Sequence, residues 1–346
     1  MALLLAGCSA EQEAYEDGQQ SKGLMPVLFS AGNVNRALTR AASASYMPQN
    51  SQFACAMFFH AGASDNNDSK YYSDANPLLR DVNMSSALMK VDNDYGNAAY
   101  QQKDSTFYWQ NRLNHVFLAL TDNNQLTTSM PNFKVGEKVA FDLTRGSKNS
   151  MAEQPDPLLA VTTMSPVGAT SEANRVSLFF HHQFSQIQVN LKGSQNESAN
   201  IQKEHIEKVE LIGVTNRGYV TYDITPDGTV PAASFEPAPL NNAFELFLRD
   251  TAPTGYLKSF EGIAFGRLLG IRITWHESEE GSSLQHVATY QGLDDAHKNL
   301  QSGKKYIYNI ELRRSLIAQV KAEITPWTED KTEYKTDGTI DTTVNN

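Results

Sequence analysis

The chain has 346 residues, of which 40% are hydrophobic and 20% charged, with a formal net charge of -10. That length makes one large or two ordinary globular domains, and the apolar content excludes a disordered chain. The acidity, with Lys and Arg scattered, excludes a phosphate-binding face and so a nucleic-acid partner. No apolar run reaches the roughly eighteen residues of a membrane-crossing helix.

In chain order, Leu3-Leu4-Leu5-Ala6-Gly7-Cys8 runs straight into Ser-Ala-Glu-Gln-Glu. This resembles the end of a bacterial lipoprotein signal, where a peptidase cuts before the cysteine and the new terminus carries lipid. A charged n-region is missing, so residues 1–23 read as a signal remnant and polar tether. Lipid on Cys8 would anchor the protein to a membrane without spanning it. The stretch Met25–Ser30, MPVLFS, reads as a first strand with Val27 and Phe29 facing a core and Leu28 between them. A polar segment with Arg36 and Arg40 follows.

Short segments rich in β-branched and aromatic residues then recur between Gly, Asn, Asp and Pro clusters. In the first half these are QFACAMFFHA, STFYWQ, HVFLALTD, KVAFDLT and PLLAVTT. In the second half they are RVSLFFHHQ, SQIQVNLKG, IEKVELIGV, GYVTYDIT, AFELFLRD, FEGIAFG, GIRITWHES, HVATYQG, KKYIYNIELRR and AQVKAEIT. In SQIQVNLKG, Ile187, Val189 and Leu191 alternate with Gln186, Gln188 and Asn190, the pattern of a half-buried antiparallel strand. In YIYNIEL, Ile307 is opposed to Tyr306 and Tyr308. NPLLRDVNMSSALMKV is the single helical expectation.

Strands at this density without helices predict an all-β protein of sandwich type. The segment Thr163–Arg175 has no apolar periodicity and reads as a linker. It divides the chain into an N-terminal β-sandwich over residues 24–165 and a C-terminal one, with a polar tail, over residues 170–346.

Candidate chemistry is sparse. His181 and His182 are adjacent, so on a strand they point to opposite faces and do not share a metal. There is no H-E-x-x-H, C-x-x-C, G-x-S-x-G, P-loop or G-x-G-x-x-G pattern. The loops DNNDS (Asp65–Ser69) and VDNDYG (Val91–Gly96) offer oxygen ligands to calcium but lack the glycine and late glutamate of an EF-hand, and read as solvated loops. Trp109, Trp275 and Trp327 lie in or beside apolar strands and read as core rather than a carbohydrate platform. Cys55 in FACAMFFHA reads as a buried free thiol. These observations imply no enzyme, no cofactor and no metal.

An ordered series of short motifs resembles the Bacteroidetes fimbrillin family, the major and accessory pilins of type V pili. The motifs are LAGC at Leu5–Cys8, PVLFS followed by LTRAA at Leu38–Ala42, DPLLAVTT, RVSLFFHHQFSQIQVNL, IEKVELIGVTNRGYV, SGKKYIYNIELRR and ITPWTED. The resemblance implies two tandem transthyretin-like β-sandwich domains, export as a lipoprotein through Cys8, and location at the outer membrane or in a surface fimbrium. It further implies that an arginine-specific protease cuts after Arg40 or Arg36. The first strand, with Met25, Val27, Leu28 and Phe29, would then leave, and a strand from another pilin subunit would fill the groove. The bland alternative is that this strand is a permanent edge strand.

The tail after Trp327, with Tyr334, Ile340 and Val344 as its sparse apolar residues, is a poor donor strand. Stalk, tip and anchor positions therefore stay open. The competing reading is a lipid-anchored surface adhesin that binds a glycan or a host or bacterial protein receptor and does not polymerise. A hydrolase has no recognisable catalytic set to support it.

Overall fold

The computed structural model describes residues 25–33, 45–58, 84–93, 95–110, 112, 115–122, 137–144, 146, 148–167, 169–194, 201–222, 243–276, 284–313, 316–327 and 340–343. These residues form an all-β protein, as the strand density predicts, with a single four-residue helix, α1 (Asp295–Lys298). The first group of strands is β1 (Phe29–Asn33), β2 (Ser45–Tyr46), β3 (Gln52–Phe58), β4 (Met84–Val91) and β5 (Asn97–Tyr100). It continues with β6 (His115–Asp122), β7 (Glu137–Asp142), β8 (Pro157–Met164), β9 (Val176–His182) and β10 (Ser185–Gly193). The second half supplies β11 (Ile206–Thr215), β12 (Arg217–Tyr222), β13 (Ala243–Glu245), β14 (Phe247–Leu248) and β15 (Lys258–His276). The last five are β16 (Gln285–Tyr290), β17 (Asn299–Leu300), β18 (Lys304–Leu312), β19 (Ile317–Pro326) and β20 (Ile340–Thr343).

One sheet runs β2-β1-β5-β4-β3-β6-β8-β9, and β1 also pairs with β9, so the sheet closes on itself. Its interior holds Phe53, Cys55 and Met57 of β3, Phe117 and Ala119 of β6, Leu158 and Ala160 of β8, and Val176, Leu178 and Phe180 of β9. The alternate residues Ala54, Ala56, Phe58, Val116, Leu118, Leu120 and Leu159 belong to a second core, shared with the C-terminal strands. Strands buried on both faces lose the apolar–polar alternation, which is why FACAMFF and HVFLALT read as unbroken apolar runs.

The second sheet runs β13-β11-β15-β10-β18-β19-β20, with β14, β16 and β17 also on β15, while β7 and β12 form a separate pair. β15 has nineteen residues and changes partners along its length, pairing with β10 at Lys258–Leu191 and with β11 from Phe265 to Trp275. The segments expected as two strands, FEGIAFG and GIRITWHES, are thus one. A bulge on β15 shifts the register, with residues 267–269 opposite the single Gly213, which has φ +86°, a value a side chain rarely adopts, and where a Cβ would strike Leu269.

Several other expectations are corrected. In STFYWQ only Tyr108 pairs, through an isolated bridge to Pro26. The expected helix fails in its second half, where residues 84–91 are β4 (residues 76–83 lie outside the described set). AFELFLRD is broken at Leu246 into β13 and β14. β10 is not half-buried: Gln186, Gln188 and Asn190 are buried as well, and their amides are satisfied on the sheet. Gln188 donates to Asn190 (2.9 Å), Asn190 donates to Asn309 (2.8 Å), and Ser259 donates to Asn190 (2.7 Å). The linker Thr163–Arg175 does not separate the sheets, because β9 beyond it is hydrogen-bonded to β8 and β1.

Polar side chains tie the segment before β8 and the end of β9 to the C-terminal strands. Gln154 donates to the Leu143 carbonyl (2.7 Å) and accepts from the Ile263 amide (2.8 Å). His182 Nδ1 donates to the Asp156 carboxylate (2.8 Å), its ring is stacked on Trp327 at 3.8 Å, and the Asp156 amide donates to Asp122 (2.6 Å). His181 is half-buried beside it, so the two histidines face apart as the strand period requires.

On the second sheet, the cross-strand pair Glu210–Arg272 makes two hydrogen bonds of 2.8 and 2.9 Å. The Arg272 guanidinium holds the Glu210 carboxyl below its ordinary value. A lowered carboxyl stabilises the fold above its unfolded pKa of about 4.3 and loses that contribution as pH falls through the folded value. Arg272 is about a third exposed, so the effect is discounted for solvent. Glu210→Gln should lower unfolding stability by about 0.5–1 kcal/mol at pH 7. In urea titrations the gap to the wild type should stay constant down to about pH 5 and close below about pH 4.

Candidate functional site

The site is the seat of the first strand. Pro26 lacks an N–H and suits an extended lead-in, and beyond it the residues alternate. Val27, Phe29 and Ala31 are 0% exposed, while Leu28 and Ser30 are half-buried. The regular strand, Phe29–Asn33, lies later than the expected Met25–Ser30, whose first four residues are an extended approach to it. That approach is also held by backbone bonds: the Val27 amide donates to Phe107 (2.9 Å) and the Trp109 amide donates to Met25 (3.1 Å).

The strand is not an edge. On one side it runs parallel to β9, from Phe29 opposite Val176 to Asn33 opposite Phe180. On the other it pairs antiparallel with β5 at Phe29–Ala98 and Ser30–Asn97, then with β2 at Gly32–Tyr46 and Asn33–Ser45. The turn before β5 comes close to it. The Ala31 amide donates to the Gly96 carbonyl (2.8 Å), and Gly96 (φ +72°) leaves no room for a Cβ, which would collide with the Ala31 carbonyl oxygen.

Phe29 enters an aromatic box. It meets Tyr100 and Phe107, each at 6.1 Å between centroids, and Phe117 at 5.4 Å, all edge to face. Such pairs each add about 0.5–1.5 kcal/mol beyond area burial. Two side chains grip the strand's backbone instead: Tyr100 donates its hydroxyl to the Val27 carbonyl (2.8 Å), and Arg175 Nη1 donates to the Phe29 carbonyl (2.9 Å). Glu172 holds Arg175 in place through a contact of 2.7 Å. Asn174 reaches the Met25 sulfur at 3.4 Å. Burial pushes the Tyr100 hydroxyl well above its ordinary range, so it donates its proton throughout the physiological range.

Arg36 and Arg40 fall in residues 34–44, outside the described set, as does Cys8. The two ends of 34–44 are fixed: Asn33 and Ser45 are paired, so the eleven residues between them leave and return at one rung of the ladder.

The other sequence-marked residues are structural. Trp109 and Trp275 are fully buried and Trp327 nearly so, which removes them as a carbohydrate platform. Cys55 is a buried free thiol whose pKa burial pushes up, and it is therefore inert. In VDNDYG, the Asn93 side-chain oxygen accepts from the Tyr95 and Asn97 amides (3.0 and 3.2 Å), so it shapes the β4–β5 turn. The loop DNNDS lies outside the described residues. Sequence reasoning missed Tyr100, Phe107, Phe117, Arg175 and Gly96 as parts of the seat. Only the aromatic content of STFYWQ and HVFLALT hinted at the box, because its walls come from separate segments.

The described residues thus form a closed β-sheet whose first strand is paired on both flanks. The chain belongs to the fimbrillin-like family, whose sequence model matches residues 39–327. Proteins of that family are structural rather than catalytic. No curated protein matches the chain. Among solved structures it is similar to a proposed cell adhesion protein from Bacteroides uniformis, with a TM-score of 0.56 and 12% identity, covering 90% of this chain and 100% of that one. A proposed cell adhesion protein from Bacteroides ovatus gives a TM-score of 0.55 and 14% identity over the same shares. The C-terminally truncated tip fimbrial protein Mfa3 from Porphyromonas gingivalis gives 0.48 and 12%, covering 88% of this chain and 99% of that one. At such identities the likeness is one of fold.

Phe29→Ala should lower stability by about 3–5 kcal/mol, because it empties a box that cannot collapse. Arg175→Met, which keeps the stem and removes the charged donor to Phe29, should cost about 1.5 kcal/mol. Urea denaturation of both variants checks the order.

Proposed function

We propose that this protein is a fimbrial subunit that matures by cleavage in residues 34–44 and assembles by strand exchange at the β1 seat. It is exported as a lipoprotein, carries lipid on Cys8 at the outer membrane, and serves adhesion at the cell surface or in the fimbrium. The cut falls after Arg40 or after Arg36, and the leaving segment carries Met25, Val27, Leu28 and Phe29. Its partners are other pilin subunits, an arginine-specific protease, the outer membrane and a host or bacterial surface receptor. Family membership supports the fimbrial role.

The observation that carries the exchange step is the position of β1. Because it is paired on both flanks, its departure would free two ladders at once, those of β9 and β5. Unpaired ladder edges take up strands from other chains. Burial of Val27 and Phe29 alone is worth about 1.5–3 kcal/mol each. An incoming strand therefore has to match these contacts as it displaces β1.

The same double pairing favours a second reading, in which β1 stays and the protein is a lipid-anchored adhesin that does not polymerise. With Trp109 and Trp275 buried, such an adhesin would bind its glycan or protein receptor elsewhere. Treating the full chain with an arginine-specific protease separates the two. Exchange predicts a new N-terminus at Ala41 or Ala37 and ladders that resist SDS without boiling. A cut product that stays monomeric and keeps the Met25 segment through gel filtration overturns exchange and leaves the adhesin.

A further inference from the structure

The contacts of β1 divide into two kinds. Those from Phe107, Gly96, Tyr100 and Arg175 fall on its backbone, at Val27 N, Ala31 N, Val27 O and Phe29 O, and would hold any extended chain. Side-chain selection is concentrated elsewhere. Inward, Phe29 occupies the three-ring box, between Val27 and the small Ala31, all fully buried. Outward, Gly32 is opposed by Phe179 on β9 and by Tyr46 on β2. Residues directly opposed in a sheet share a face, and these two rings are 42% and 41% exposed. A position without a side chain thus lies between two rings at the open surface.

We infer that, given strand exchange at this seat, the seat selects a strand of the pattern apolar–x–aromatic–x–small–glycine, and that residues 328–346 of a second copy do not supply it. Residues 328–346 do not offer the pattern. With Ile340 in the place of Val27, Thr342 would stand in the aromatic box and Val344 in the place of Ala31. With Tyr334 in the box, Thr332 would replace Val27 and Asp337 would replace Gly32. The first frame puts a hydroxyl in the ring box, and the second puts a hydroxyl at the fully buried Val27 position and a charge between Phe179 and Tyr46, where polar groups cost free energy unless partners are found. The described stretch of this tail, β20, is moreover already paired with β19, from Gln319–Thr343 to Ala322–Ile340.

The test uses the full chain nicked by an arginine-specific protease and incubated with excess fluorescein-labelled synthetic peptides, with exchange read by anisotropy. The peptides are residues 25–33 (MPVLFSAGN), its Phe29→Ala and Gly32→Val analogues, and the tail segment 338–346 (GTIDTTVNN). The parent peptide should enter the seat, the Phe29→Ala analogue should bind at least about 100-fold more weakly, and the tail peptide should show no saturable binding. The Gly32→Val analogue should also bind more weakly than the parent. If the parent does not enter, the exchange reading falls and this inference with it. If the parent enters but the Phe29→Ala analogue binds within about threefold, or the tail peptide matches the parent, exchange stands and the selection falls.

Discussion

The first sheet closes through one short strand. Six of its eight strands, β5-β4-β3-β6-β8-β9, could lie as an open, curved sheet, and β2 is held only by β1. It is β1, parallel to β9 on one flank and antiparallel to β5 and β2 on the other, that joins the ends. The interior core depends on that closure, since Phe29 contributes the ring on which Tyr100, Phe107 and Phe117 converge. The rest of the fold answers one problem: how to keep a protein intact around a strand on which the closure of a whole sheet depends.

The answer lies in the two-sided burial of β3, β6 and β8. Their inward residues share a core with β1, whereas Ala54, Phe58, Leu118 and Leu159 share another with the C-terminal strands, and no residue of β1, β4, β5 or β9 enters that second core. Disturbance at β1 is therefore confined to one core. The second is held by residues outside β1, and the stacking of His182, at the end of β9, on Trp327 links the two. Such partition gives the molecule a region that can change and a region that stays.

Much of this was legible in the sequence, but unevenly. The alternation of Val27, Phe29 and Ala31 marks an inward stripe, and almost every long strand coincides with a β-branched or aromatic run. RVSLFFHHQ was legible as a strand, and in it Val176, Leu178 and Phe180 are buried while Phe179 faces out. Sequence could not show that the polar stripe of β10 is covered, since Gln188 and Asn190 look solvated until Asn309 and Ser259 meet them. It missed β5, NAAY, because Ala and Asn carry no strand signal and the turn at Asn93–Gly96 makes the strand. It split β15 at glycines that in fact accommodate bulges and close neighbours. The site was half visible: the strand that fills the seat could be named, but its walls come from β5, the 105–109 segment, β6 and the residues before β9, a convergence only the fold creates.

The length of β15 has a mechanical consequence. At about 3.3 Å per residue, nineteen residues span at most roughly 60 Å, shortened where Gly266 (φ +86°) and the bulge after it bend the strand. It crosses from the partners of β10 to those of β11 and β16 without a break in the backbone. A pull along this strand loads many ladder bonds together in shear, whereas a pull across an edge would unzip them one by one. A molecule exposed to flow at a cell surface would then extend least along β15, and its compliance would be found in the short rungs around β1.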